Sequence, residues 1–498
     1  MAAPLTNMIF EASAAFIPAV MFAAVATATL GRAVIRIATN RRLFDVPDEA
    51  RRVHKVPTPR LGGIAVFLVV AAGGSVLVNA ADALGLTPAD ARFIKATLIG
   101  ATLLFLVGLI DDLRGVRPRT KLIAQIAAAA IACVGGLAPH SLSLTAGLDF
   151  GLQGLAIPLV ILWIVLVSNA FNLIDGIDGL AGGLGLVVMS ATLVAATLLG
   201  RPEVLLLSGI VLGASAGFLR LNRCPARIFL GDCGSLVLGF LLATLTVRAA
   251  TDGRGALHVL LPLGALAIPL ADTSLAIGRR WLRGVHIFGP DRRHIHHQLL
   301  ALGLDHRQAS ATLALASLCA AGAGLILTFA PRTLTALLLV AALLGLVVAC
   351  IAIPRCLHYH EFGEAVRVVR AQPGRARRTI RDQLLAHDTI QLLKEANTAA
   401  HIHRILTGHA AVFAFRFMGI VRAEAPRRNE PGTVAYEVAV GRPADGLALR
   451  IIADADAARG TSIDWIAGAI AEGISARLSE TALERRPRVW PQVERQAS

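Results

Sequence analysis

The chain has 498 residues, 55% of them hydrophobic and 16% charged, with a mean hydropathy of +0.66. Soluble globular domains carry about 25% charged residues, so this balance excludes an ordinary soluble domain and points to a membrane protein. The net charge of +15 does not imply a nucleic acid partner. The basic residues lie in short loops between apolar runs and in the C-terminal tail, where they suit anionic lipid and anionic substrates.

A membrane-crossing helix needs about 20 mostly apolar residues. Runs of that kind fall near 11–37, 61–81, 93–110, 121–139, 153–168, 180–199, 204–220, 235–249, 256–277, 308–330 and 333–353. The expected fold is therefore an all-α polytopic membrane protein of about eleven transmembrane helices. Several runs are short or rich in Ala and Gly, which suits close helix packing. No basic segment precedes the first run, so it reads as a retained span rather than a cleaved signal. With the N-terminus periplasmic, the odd-numbered loops hold nineteen Lys and Arg residues and the even-numbered loops six. The positive-inside rule then places the odd loops and the C-terminus in the cytoplasm. The six cysteines form no Cys-x-x-Cys pair and read as apolar packing.

After Pro354 the long apolar runs stop. Residues 1–354 read as the membrane domain and 355–498 as a cytoplasmic α+β extension. In the extension, 376–406 reads as a helix, 411–421, 434–440 and 447–453 as strands, and 463–484 as a last helix. Ile463, Ile466, Ile470 and Ile474 share one face of that last helix. No phosphate loop or metal spacing stands out there, and His401 and His403 fall on different sides of their helix.

Four motifs carry chemistry, all in loops assigned to the cytoplasm: Asp111-Asp112, Asn169-x-x-Asn172-x-x-Asp175-Gly-x-Asp178-Gly, Gly231-Asp232-x-Gly234-Ser235, and Asp291-Arg292-Arg293-His294-Ile295-His296-His297. Acids beside membrane spans are costly, so their recurrence marks a functional site. Adjacent carboxylates need a cation or a proton between them, and Mg²⁺ with oxygen ligands is one answer. Asn169, Asn172, Asp175 and Asp178 recur every three residues, as one polar helical stripe broken by Gly176 and Gly179. Ser235 is placed to cap the helix that follows Asp232. The Arg-His run reads as a phosphate-binding segment. Metal, positive charge and alignment are what phosphoryl transfer requires.

These motifs, with Asp45-x-Pro47, Arg51, His54 and Pro59-Arg60-x-Gly62-Gly63, resemble the polyprenyl-phosphate N-acetylhexosamine-1-phosphate transferases of glycosyltransferase family 4. The resemblance covers residues 40–305. It implies transfer of a sugar 1-phosphate from a UDP-sugar donor to undecaprenyl phosphate with release of UMP, Mg²⁺ as cofactor, and a place in the bacterial cytoplasmic (inner) membrane with a cytoplasmic active site. It assigns the metal to Asn172 and Asp232, catalysis to Asp111, Asp112, Asp175 and Asp178, and substrate binding to Asn169, His54, Arg60, Lys121, Arg293, His294, His296 and His297. The branch making the first peptidoglycan lipid usually carries three consecutive histidines after a proline. Here Ile295 interrupts them, as in the WecA-like branch that starts O-antigen, enterobacterial common antigen or teichoic acid chains, which favours UDP-GlcNAc as donor, with the 6-deoxy sugars UDP-QuiNAc and UDP-FucNAc, and the phospho-MurNAc-pentapeptide transfer of the peptidoglycan branch, as alternatives. A homodimer, and docking of later glycosyltransferases through the extension, are further expectations. A polytopic transporter is the contrasting reading, but transporters place ionisable residues near the bilayer midplane, whereas these acids cluster at span ends.

Overall fold

The computed structural model describes residues 2–41, 58–145, 148–283, 294–331, 376–396, 398–413, 415–422, 433–440, 447–454 and 463–480, with single positions at 334, 337, 340 and 345. The chain divides into two compact units, Met1–Ala276 with Asp291–Cys350, and Ile277–Pro290 with Ile351–Ser498.

Lipid offers no hydrogen-bond partners, so an apolar chain satisfies its backbone by forming helices. The first unit does so with α1 (Ala2–Arg41), α2 (Gly62–Asn79), α3 (Pro88–Arg114), α4 (Pro118–Val134), α5 (Ala156–Ile174), α6 (Leu180–Leu198), α7 (Pro202–Asn222), α8 (Asp232–Ala250), α9 (Leu260–Ala265), α10 (Ala267–Arg283), which runs past Ala276, α11 (Ile295–Ala301) and α12 (His306–Phe329). Among the described residues, eight helices are long and apolar enough to cross a membrane. Three of the expected runs account for the difference. The run at 121–139 forms the 17-residue α4. The run at 256–277 begins as a strand and continues as two helices meeting at Leu266, because Pro269 has no N–H to donate to Ala265. The run at 333–353 lies almost wholly outside the described residues.

The short run at 235–249 proves central. The window of α8 that could span a membrane is 94% buried, against 22% for α1 and α12. A helix apolar all round belongs in the middle of a bundle, and glycines let its neighbours close on it. A Cβ on Gly63 of α2 would lie 2.2 Å from the Gly234 nitrogen, and one on Gly108 of α3 would lie 2.6 Å from the Asp232 carbonyl oxygen.

The end of the bundle away from Asp232 carries a small sheet that the sequence reading did not anticipate, so the unit is not purely α. Strand β1 (Ser141–Thr145) lies between β2 (Leu148–Gly151), antiparallel, and β3 (Ala256–His258), parallel. At that end Thr87 and Asp90 close a capping box on α3. Arg248 bridges Asp90 at 3.1 Å and the buried Glu203 at 2.8 Å.

In the second unit, the described residues form α13 (Ala376–Glu395), α14 (Ala399–Val412), β4 (Phe415–Arg422), β5 (Thr433–Val440), β6 (Leu447–Asp454) and α15 (Ile463–Glu480). The sheet order is β4-β6-β5, antiparallel throughout. Ile463, Ile466, Ile470 and Ile474 enter its core with Leu449 and Ile451. The segment expected as one helix over 376–406 is two helices, and residues 411 and 412, expected in a strand, finish the second.

Candidate active site

The polar cluster is assembled around the N-terminus of α8. Gly231 precedes it at φ +74°, and a Cβ there would lie 2.0 Å from the Arg60 carbonyl oxygen and 2.7 Å from Asp112 Oδ2. Only glycine tolerates both the left-handed backbone and that approach. The opening N–H groups of a helix lack internal partners, and Asp112 supplies them from the end of α3. Its Oδ1 accepts from the Asp232 nitrogen and its Oδ2 from the Cys233 nitrogen, each at 2.9 Å. That is the capping role expected of Ser235. Ser235 Oγ instead accepts from Asn172 Nδ2 at 2.8 Å.

The two adjacent aspartates therefore have different partners. Asp111 Oδ1 accepts from the Val116 nitrogen, and its Oδ2 pairs with Lys121 Nζ at 2.8 Å. Lys121 also reaches Asp232 Oδ2 at 2.7 Å, and Asn172 Nδ2 donates to Asp232 Oδ1 at 3.1 Å. Asp111, Asp112, Lys121, Asn172 and Asp232 thus converge from α3, α4, α5 and α8. One turn along α5, Asn169 donates to Gln125 Oε1 at 2.8 Å. Gln125 was missed in the sequence; its signal is a lone amide four residues after Lys121 in an apolar run.

The expected four-residue stripe stops after Asn172, because α5 ends at Ile174. Asp175 sits beyond that end. Burial pushes its carboxyl well up from the usual range, and the Asp232 and Asp112 charges add to this against the pull of Arg60. Asp178 turns toward the loop after α7, where its Oδ2 accepts from the Ala226 nitrogen at 2.9 Å. Gly176 is where the histidine segment arrives: a Cβ there would lie 2.5 Å from His296 Nε2. His296 is 1% exposed. Burial, more than its neighbour His297, pulls its ring down to about 3, so it packs as a neutral imidazole. Neither of its ring nitrogens has a partner among the described residues. His297 lies tilted against it, with ring centroids 4.3 Å apart.

Asp272 on α10 is a second residue the sequence reading passed over. Its Oδ2 lies 2.9 Å from His294 Nδ1, and its Oδ1 accepts from the Ile295 nitrogen at 2.7 Å. An isolated Asp in an apolar run, far in sequence from the histidines, gave only the general warning that an intramembrane acid is functional. His54 and Arg293 lie outside the described residues. Among those described, no three His, Cys, Asp or Glu side chains are grouped to hold a metal ion; the carboxylates of Asp111, Asp112 and Asp232 are the acidic oxygens of the cluster.

The family model for glycosyl transferase family 4 matches residues 94–250, a stretch containing Asp111, Asp112, Lys121, Asn169, Asn172, Asp175, Asp178 and Asp232. The chain is 37% identical over 277 residues to a Bacillus subtilis (strain 168) protein named a probable undecaprenyl-phosphate N-acetylglucosaminyl 1-phosphate transferase, covering 55% of this chain and 75% of that protein. It is 35% identical over 315 residues to a decaprenyl-phosphate N-acetylglucosaminephosphotransferase of Mycobacterium tuberculosis (strain CDC 1551 / Oshkosh), covering 58% and 77%. An undecaprenyl-phosphate alpha-N-acetylglucosaminyl 1-phosphate transferase of Yersinia pestis is 30% identical over 321 residues, covering 62% and 84%. Shared identity over three quarters or more of such relatives, with the motif residues gathered at one helix end, makes this chain a member of glycosyl transferase family 4.

Proposed function

We propose that this protein transfers N-acetylglucosamine 1-phosphate from UDP-N-acetylglucosamine to undecaprenyl phosphate, releasing UMP, at the cytoplasmic face of a bacterial cytoplasmic membrane. The observation that carries the reading is the convergence of Asp111, Lys121, Asn172 and Asp232 at one end of a bundle of apolar helices. A lipid phosphate can reach that end sideways from the bilayer, and a nucleotide from the aqueous side. The excess of Lys and Arg in the loops at that end supports a cytoplasmic orientation.

In the reaction, an oxygen of the lipid phosphate bonds to the sugar-bearing phosphorus of the donor. The bond from that phosphorus to the UMP oxygen breaks, and UMP leaves with the electron pair. An ionised lipid phosphate loses no proton in this exchange, so the chain's task is alignment and charge compensation. Both oxygens of Asp111 and both of Asp112 already accept hydrogen bonds or ion pairs. We therefore read that pair as orienting groups and the lipid phosphate as the nucleophile. Lys121 holds positive charge where phosphate oxygens gather. His296, whose buried ring nitrogens have no partner among the described residues, lies against the turn that carries Asp175 and would bind a phosphate oxygen of the donor only if that packing opens.

The residues present fit Mg²⁺. Asp232 and Asn172 carry hard oxygen donors and would hold the ion once the contacts to Asp232 from Lys121 Nζ and Asn172 Nδ2 are released; the Lys121 ammonium between Asp111 and Asp232 shows that these carboxylates call for a cation. Two protein ligands suit an ion that keeps its waters and binds mainly through substrate phosphates. When bound, Mg²⁺ would neutralise charge on the donor diphosphate and the leaving UMP.

The test is an assay of membranes containing the protein, supplied with undecaprenyl phosphate and each of UDP-GlcNAc, UDP-MurNAc-pentapeptide and 6-deoxy UDP-sugars, with and without Mg²⁺. Magnesium-dependent lipid-linked GlcNAc is the expected product. Turnover of another donor alone would correct the sugar, and silence with every donor would overturn the reading.

A further inference from the structure

The geometry points to Asp272 as a positioning residue that fixes the tautomer and place of His294 for binding the donor diphosphate. The inference rests on the transferase reading for its kinetics but not for its structural content. Asp272 is 1% exposed and His294 5%, so neither belongs to a solvated loop. A buried carboxylate is tolerated when its oxygens are met by donors, and here each has one. Oδ1 accepts from the Ile295 nitrogen at 2.7 Å, and Oδ2 faces His294 Nδ1 at 2.9 Å.

The consequence for the ring follows from the donor and acceptor inventory. An ionised carboxylate only accepts, so Nδ1 must carry the proton. Nε2 is then the nitrogen left for a ligand, and no protein group bonds to it among the described residues. The same carboxylate holds the backbone one residue later, so ring and main chain are fixed by one group on a separate helix. The arrangement continues toward the acidic cluster. His294 stacks parallel to His296 with centroids 5.7 Å apart and planes 4° from parallel, and His296 rests on Gly176, beside Asp175. A displacement of His294 would therefore pass along a packed row to the turn that carries Asp175. Asp272 takes no part in bond making, because its oxygens are spent on His294 and Ile295.

Two experiments on the full chain in lipid nanodiscs test this. The first needs no activity: ¹⁵N-histidine NMR of the wild-type protein, with His294 assigned by its loss in His294→Gln. A proton on Nδ1 is expected, and a ring protonated on Nε2 alone would overturn the proposal even if transfer is active. The second is a double-mutant cycle on kcat/KM for the UDP-sugar. Loss of the partner that orients a metal-ligating histidine typically costs about ten- to a hundredfold; on the same scale for a phosphate-binding histidine, Asp272→Asn is expected to lower kcat/KM by that factor, through KM for the donor. In a His294→Ala background the same change is expected to cost less than about twofold, since coupled residues are not additive. Equal losses in both backgrounds, or a single variant within twofold of wild type, would overturn it. If no UDP-sugar is turned over at all, the transferase reading has failed and the NMR result alone decides the role of Asp272.

Discussion

Asp175 illustrates how a site residue can act against stability. It sits among the Asp232 and Asp112 carboxylates, and burial together with their charges holds its own carboxyl well above the usual range. A folded-state pKa raised above the unfolded value means the folded chain binds more protons between the two. Stability contributed by the neutral acid is full below the unfolded pKa and falls as pH rises through the raised one. Asp175→Asn removes that penalty. Thermal unfolding in detergent should show the variant more stable than wild type at neutral pH, with the gap closing in acid, while transfer activity is lost. A variant less stable at neutral pH would contradict the burial argument. Asp112 differs in its hydrogen bonds, since its oxygens serve the first N–H groups of α8. Asp112→Ala should destabilise the protein by about 2 kcal/mol, the combined scale of a lost cap and lost charge-assisted bonds. An unchanged unfolding midpoint would show that the cap is not needed.

At the scale of the element, α8 joins the two ends of the first unit. Its 19 residues span about 28 Å at 1.5 Å per residue, with Asp232 of the acidic cluster at one end and Arg248 in the last turn. Glu203 and Arg248 are paired at 2.8 Å with Glu203 almost fully buried, so removing Arg248 strands the buried Glu203 carboxylate. Arg248→Ala is expected to cost roughly 3 kcal/mol yet leave kcat within twofold, because the chemistry lies at the other end of the helix. A stable variant, or one stable but inactive, would contradict that division. Apolar runs made most of these helices legible, and acids and amides at span ends singled out Asp111, Asp112, Asn172 and Asp232, which the fold brings together. Periodicity could not reveal where α5 stops, because Asp175 continues the three-residue spacing of Asn169 and Asn172 past the helix end. Nor could it pair Asp112 with α8 or Asp272 with His294, contacts made between elements far apart in the chain. The strand at Ser141–Thr145 alternates polar and apolar residues, but five residues between longer apolar runs gave a weak signal.

Across the whole molecule, the described site residues fall in the unit formed by Met1–Ala276 and Asp291–Cys350, whereas Ile351–Ser498 belong to a unit with its own helix-and-sheet core. A chain ending at Pro354 should therefore keep magnesium-dependent UMP release within about twofold, if the extension serves the docking of later glycosyltransferases expected from the sequence and not chemistry. Loss of cell-surface polysaccharide despite that release would support docking, and normal polysaccharide would count against it. The central claim concerns which bond breaks. UDP-GlcNAc labelled with ³²P on the sugar-bearing phosphorus, supplied with undecaprenyl phosphate and Mg²⁺, decides it directly. The account predicts label in the lipid product and unlabelled UMP in solution, both lost in Asp232→Ala. Label released in UDP, with sugar alone on the lipid, would contradict it.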